Sequence, residues 1–359
     1  ATGPKPTNYP NSEALGIAIS PSGTPLLVWM RAREPSATQT ARTQWDMLVA
    51  RRLPDGTMES PRIVGGGFTL PPLNKPRPVA VSSSSSGAVT IAIARVDTIQ
   101  LFEFRQPSTR TTTSFRAHAV KLALASNGTA GATVVWVDPR GIVRARRVSA
   151  TGQIGAERVL SRRPSMAERG GLSVGIDKAG ATSVTWIEAR SGNEVLTLRE
   201  ISADGVLSAA QPIAQDTLLS DPSVAVSPSG RGLLTWSTRS SRSVDPSISA
   251  NVYVMTRRTS ARRWSKPQLL GRGGTSGPAA AQTDRASYVA GLWSAESESL
   301  AVARRLGDGP WLTTRLDRFV DMRDSFPTRI AAYGSRASVL WGEACGNWCG
   351  FAHLRSFRP

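Results

Sequence analysis

Short apolar bursts recur along the chain, each in the same order of neighbours. An apolar residue two positions before a tryptophan stands at Leu27-Val28-Trp29, Val134-Val135-Trp136, Val184-Thr185-Trp186, Leu234-Thr235-Trp236 and Val339-Leu340-Trp341, with Gly291-Leu292-Trp293 as a variant. The first interval is double, and Ile91-Ala92-Ile93, after Ser86-Gly87-Ala88, fills it without an indole. Six intervals then separate Trp29 from Trp341, a period of about 52 residues, which is the length of one supersecondary unit in a repeat architecture.

Each unit has one internal grammar. A short apolar run comes first: Gly16 to Ile19, Val79 to Val81, Leu122 to Leu124, Leu172 to Val174, Val224 to Val226, Ala279 to Ala281 and Ile330 to Ala332. A turn follows, as in Ser20-Pro21-Ser22-Gly23, Ser227-Pro228-Ser229-Gly230 and the variant Asp177-Lys178-Ala179-Gly180. The tryptophan run is next, then a loop of varying length, and then a third run ending in arginine, such as Val49 to Arg52, Val143 to Arg147 and Val302 to Arg305. Asp-Gly pairs at Asp55-Gly56, Asp204-Gly205 and Asp308-Gly309 precede a weaker fourth run, such as Gln268 to Leu270. Alternating or brief apolar stretches rich in Val, Ile, Thr and Trp are strand patterns. Asp-Gly supplies the positive φ angles of tight hairpins, and frequent Gly and Pro leave no room for long helices. Four antiparallel strands repeated seven times predict an all-β fold, a seven-bladed β-propeller.

The last unit ends with its third strand, Phe351 to Phe357, so its fourth strand must come from elsewhere. The expectation is an N-terminal arm over residues 1–14, in which the stretch from Thr7 to Ala14 closes the ring. A single propeller domain then occupies residues 15–359; a three-stranded last blade is the alternative. The turns Ser202-Ala203-Asp204-Gly205 and Asp308-Gly309-Pro310-Trp311 resemble the Asp boxes that join third and fourth strands in sialidase-like propellers, although neither is a full Ser-x-Asp-x-Gly-x-x-Trp box. That resemblance implies the same architecture. For a sialidase-type site it also implies three arginines on separate blades, a tyrosine nucleophile and an acid/base aspartate. None of Tyr9, Tyr253, Tyr288 and Tyr333 has a clear glutamate partner in its loop.

Charge changes the picture. The net charge is +18, and 39 arginines stand against 5 lysines. Guanidinium stays protonated at any working pH and grips carboxylate, sulfate or phosphate through two hydrogen bonds. A field of this sign draws acidic polymers. No run of eighteen apolar residues exists to span a membrane as a helix.

Candidate chemistry gathers in the loop after each tryptophan strand, on the face where blade-to-blade links also open. Asp138 and Arg140 follow Trp136, and Glu188 and Arg190 follow Trp186; Arg33, Arg239 and Glu343 hold related places after Trp29, Trp236 and Trp341. The links add Arg162, Arg163, Arg169, Arg272, Arg318 and Arg323. Read functionally, these residues form a mixed rim of guanidinium and carboxylate; read structurally, they are turn ion pairs worth little at a surface. The repeated tryptophans pack between blades, whereas Trp264, Trp311 and above all Trp348 are candidates for exposure. Cys345 and Cys349 flank Trp348, and their loop reads as a local disulfide rather than a metal site, since a structural zinc needs four ligands. A disulfide favours an oxidising compartment outside the cytoplasm.

With only His118 and His353, histidine triads and most metal sites are poorly supplied. No catalytic set, metal or cofactor is assigned. The expected function is an exported or cell-surface binding module whose basic face meets an acidic polysaccharide or a protein, with nucleic acid ranked lower. The alternative is a glycoside hydrolase or polysaccharide lyase using carboxylates such as Asp138 and Glu343 on opposite blades.

Overall fold

The computed structural model describes residues 12–19, 24–32, 44–53, 55–69, 79–84, 88–105, 109–129, 131–166, 171–239, 250–259, 263–272, 277–292, 300–317, 328–344 and 350–357. Among them there is no helix, and 27 strands form seven antiparallel sheets, the blades of a β-propeller.

Blade 1 comprises β1 (Ser12–Ile19), β2 (Pro25–Ala32), β3 (Gln44–Arg51) and β4 (Arg62–Thr69). Blade 2 comprises β5 (Val79–Ser83), β6 (Val89–Ala94), β7 (Thr98–Arg105) and β8 (Thr109–Arg116). In blade 3 stand β9 (Lys121–Ser126), β10 (Ala132–Val137), β11 (Val143–Val148) and the short β12 (Arg158–Val159). Blade 4 holds β13 (Leu172–Ile176), β14 (Thr182–Arg190), β15 (Asn193–Ile201) and β16 (Gln211–Asp216). Blade 5 holds β17 (Leu219–Val226), β18 (Gly232–Arg239), β19 (Ala250–Arg257) and β20 (Gln268–Arg272). Blade 6 runs β21 (Ala279–Gln282), β22 (Ala286–Leu292), β23 (Leu300–Leu306) and β24 (Trp311–Asp317). Blade 7 has three strands among the described residues, β25 (Arg329–Tyr333), β26 (Arg336–Ala344) and β27 (Gly350–Phe357).

Of the segment expected to close the ring, residues 7–11 lie outside the described residues. Ser12 to Ala14 instead pair with Arg31, Met30 and Trp29 of β2, lengthening the innermost strand of blade 1 beyond a bulge at Ala14/Gly16. The ring meets through side chains: Ile17 and Ile19 of β1 pack with Ala331 of β25 and Leu340 of β26.

Seven buried apolar clusters stand at the seven blade junctions, because each blade has two apolar faces and buries both against its neighbours. The second-strand tryptophans are central to this packing: Trp136, Trp186 and Trp236 are 1%, 0% and 2% exposed. In blade 2, Ile91 and Ile93 fill the corresponding space and are themselves fully buried. Trp264 and Trp311, expected to be more exposed than these, are half-buried. Trp264 packs on the blade 4–5 cluster and lies under the Arg257 guanidinium at 5.3 Å, and Trp311 packs on the blade 5–6 cluster.

Antiparallel order puts second-to-third loops and blade-to-blade links on one face, here the upper, and the other turns on the lower. The lower face is laced together. Lys178 N–H donates to Pro228 O at 3.1 Å, Ser229 N–H to Asp284 Oδ1 at 2.9 Å, and the Thr283 hydroxyl to Gly334 O at 2.6 Å. Arginines late in the third strands act as hooks. Arg147 of blade 3 donates to Ser202 O (2.6 Å) and Ala203 O (2.5 Å) of blade 4, and Arg257 of blade 5 pairs with Glu200 of blade 4. Arg231, in the first turn of blade 5, reaches Gly307 O of blade 6 at 3.0 Å. These guanidinium donors are spent on protein acceptors. The Ser202–Gly205 turn joins β15 to β16, where the Asp-box resemblance puts it, but Leu207 follows as its apolar anchor and packs on the blade 3–4 cluster.

Candidate ligand-binding face

Of the expected rim residues, Arg33, Trp348, Cys345 and Cys349 lie outside the described residues; Arg239 ends β18, and Glu343 is the last residue but one of β26, both at the upper-face end of their strands. Asp138, Arg140, Glu188 and Arg190 are described, and the two acidic residues have a structural setting.

Asp138 caps the turn from β10 to β11. Its Oδ1 accepts from the N–H groups of Arg140 and Ile142, both at 2.9 Å, and its Oδ2 accepts from Arg144 Nε at 2.9 Å. Burial alone raises the affinity of this carboxyl for a proton. The Ile142 N–H, the Arg144 guanidinium and the Arg140 N–H outweigh burial and hold the group below its ordinary value. A carboxyl so held is ionised at neutral pH and is no general acid.

Because the folded state lowers the proton affinity of Asp138 relative to the unfolded chain, its contribution is full above the ordinary value of 3.8. It is lost as pH falls through the lower folded value. Asp138→Asn is therefore expected to cost about 1–3 kcal/mol at neutral pH. Urea unfolding of both proteins across an acid series checks this, since the gap between them should close below about pH 4.

Glu188, near the end of β14, is 4% exposed. Its Oε1 accepts from Trp186 Nε1 at 2.8 Å, and its Oε2 from Arg190 NH2 at 2.9 Å. It thereby orients both the buried indole and the half-exposed Arg190. Here the turn ion-pair reading holds for Glu188 and Arg190; Asp138 instead pairs with Arg144 and takes only the main-chain N–H of Arg140, and both carboxylates are more buried than surface pairs.

Arg140, Arg162 and Arg163 behave differently. All three are exposed. The segment after β12 folds back over the β10–β11 turn, with Ser165 N–H donating to Gly141 O at 2.7 Å, which gathers these three arginines on blade 3. Their guanidinium groups have no hydrogen bond or ion pair among the described residues. The Arg199 guanidinium nearby is pushed below the usual arginine range, first by burial and then by the charge of Arg162. Like charge therefore accumulates here among the described residues.

Beside this patch is an open cleft of about 350 Å³ between the blade 2–3 link and the Asp138 turn. His118, Asp138, Pro139, Arg140, Arg144 and Glu157 line it. Arg144 is braced from two sides, by Asp138 Oδ2 at 2.9 Å and by Glu157 Oε1 at 2.5 Å, and Arg146 also meets Glu157 at 3.4 Å. Sequence reasoning had not singled out His118, Arg144 or Glu157 as site residues. Only the alternation along β11, which puts Arg144 and Arg146 on one side of the strand, hinted at such a pair.

Tyr288, one of the tyrosines weighed as a nucleophile, is 1% exposed and donates its hydroxyl to Ser335 O at 2.5 Å. Burial raises its pKa, the opposite of activation. Tyr253 stacks on Trp236 with ring centroids 5.6 Å apart. Among the described residues, no group of three or more His, Cys, Asp or Glu could hold a metal ion. No described helix is long and apolar enough to cross a membrane.

No protein-family model matches the chain, and no curated protein matches it in sequence. Solved structures do match in three dimensions. The polysaccharide lyase PL25-Ulvanlyase aligns over 98% of this chain and 96% of its own, with TM-score 0.60 and 7% identity. The Dos1 propeller aligns over 96% and 95%, with TM-score 0.49 and 10% identity. AofleA from Arthrobotrys oligospora aligns over 88% of each chain, with TM-score 0.48 and 12% identity. At such identities the likeness to the ulvan lyase establishes architecture alone: this chain is a β-propeller built on the plan of that structure.

Proposed function

We propose that this propeller is an exported, non-catalytic binding module that presents the upper face of blades 3 and 4 to an acidic polymer. The observation that carries the reading is the contrast between neighbours. Both carboxylate oxygens of Asp138 and of Glu188 already accept internal hydrogen bonds, while the exposed guanidinium groups of Arg140, Arg162 and Arg163 have no partner among the described residues. A guanidinium free to turn its planar edge outward is suited to sulfate or carboxylate. The fold neighbour PL25-Ulvanlyase, bound to -[GlcA(1-4)Rha3S]-, is consistent with an anionic saccharide on such a scaffold. The hydrolase alternative is less well supported, because both oxygens of Asp138, one of its two proposed carboxylates, already accept internal donors. The Cys345 and Cys349 pair is the basis for proposing export.

The test is a matched charge reversal. Arg140→Glu with Arg162→Glu and Arg163→Glu is expected to weaken dextran sulfate binding at least tenfold in low salt. Arg258→Glu with Arg263→Glu and Lys266→Glu changes net charge equally at exposed lower-face positions and should leave affinity within about threefold. Equal losses from both sets would mean that only the overall field attracts the polymer, and the proposal would fail.

A further inference from the structure

The cleft beside the arginine patch differs from the patch in chemistry. Arg140 and Arg144 bring two positive charges, while Asp138 and Glu157 bring two carboxylates that Arg144 and Arg146 already neutralise. His118 adds an exposed imidazole, able to donate and accept, and Pro139 adds an apolar wall. A bare phosphate or sulfate would meet carboxylate oxygens on one side and be repelled. An ammonium group would find both carboxylates already paired. The ligand that suits all of these walls carries several hydroxyl donors for the carboxylate oxygens and one anionic group for Arg140. Its expected size is one or two sugar rings, since about 350 Å³ lies at the small end of ligand sites.

We propose that this cleft binds a single uronic-acid unit of a saccharide, with its carboxylate on Arg140 and its ring hydroxyls toward His118, Asp138 and Glu157. The site rests on the binding-module reading for the sign of the face, but it makes a separate demand, for hydroxyls in addition to charge. Arg144 is a positioning residue here: its two carboxylate braces fix the acceptor oxygens that the hydroxyls would meet.

The experiment titrates a glucuronate-containing disaccharide into the whole protein and follows the imidazole proton and carbon signals by NMR. The chain has two histidines, so loss of one set of signals in His118→Ala assigns the other. Saturable movement of the His118 signals is expected, with cellobiose and free sulfate each at least tenfold weaker. Arg140→Gln should weaken the disaccharide at least fivefold with an unchanged unfolding midpoint. His118→Ala should do the same, read by calorimetry. Arg162→Glu with Arg163→Glu should spare the disaccharide while weakening dextran sulfate, which separates this inference from the reading above. If the polymer never binds but His118 still titrates, the cleft stands and the polymer face falls. Still His118 signals, or sulfate as effective as the disaccharide, would overturn the cleft.

Discussion

Trp186→Ala is expected to cost about 3–5 kcal/mol, the range for removing a fully buried large aromatic side chain. Trp186 is 0% exposed in the cluster that joins blades 3 and 4, surrounded by Val135, Val143, Val174 and Val184. The strands around it are hydrogen-bonded into two sheets and cannot collapse into the vacated space, so the cavity contribution should be near its full value. The substitution also removes the donor to Glu188 Oε1, leaving a buried carboxylate with Arg190 as its remaining side-chain partner. Trp186→Phe separates the two effects, because it keeps most of the ring and loses the N–H. Its expected cost is about 1–3 kcal/mol. Urea unfolding midpoints measure both. If the alanine variant lost less than about 1 kcal/mol, the indole would not be a determinant of blade packing.

Gly131→Ala is the second large effect, and it acts through the backbone. Gly131 closes the first turn of blade 3, where Asn127 N–H donates to Gly131 O at 3.1 Å, and its φ is +94°. An added Cβ would stand 2.0 Å from Val148 O and 2.6 Å from Ser149 C, both main-chain atoms. Neither can swing aside without breaking the β10–β11 ladder, which pairs Ala132 with Val148. The left-handed conformation costs a β-carbon about 1–2 kcal/mol, and the overlap adds about 1–3 kcal/mol. Gly192→Ala is the control: φ is +85° there, but nothing lies within 4 Å of the new carbon, so only the conformational part applies. Midpoints of the two variants should differ clearly. Equal losses would show that the overlap at Gly131 relaxes away.

The same physics separates what the chain announces from what it conceals. Hydrophobic period, Asp-Gly hairpins and the recurrent tryptophan are local signals, and the runs they mark fall on the first two strands of each blade. Ile91 and Ile93 were correctly taken to replace the absent indole, because burial on a central strand asks for apolar volume and not for one residue type. The length of β1 was not legible: Ser12 to Ala14 carry no apolar alternation, and only the neighbouring β2 gives their main chain a partner.

The candidate site was legible in residue type and not in role. Asp138 and Glu188 were singled out from spacing, and so was Arg140. Spacing cannot show that Asp138 would collect two main-chain N–H groups and Arg144, or that Glu188 would be enclosed beside an indole. The arginines that end the third runs were legible as a pattern and not as hooks: both terminal nitrogens of Arg147 donate to carbonyls of the next blade.

By itself the sequence determined the repeat, the strand order, the burial of Trp136, Trp186 and Trp236 and the sign of the charge, since each is carried by residues near one another in the chain or by composition. The tertiary structure alone decided which charges are spent and which remain free. Arg147 and Ser202 are 55 residues apart, and blade packing brings them into contact. His118, Arg140 and Glu157 belong to separate segments, the blade 2–3 link, the β10–β11 turn and the approach to β12, which the folding of blade 3 brings together.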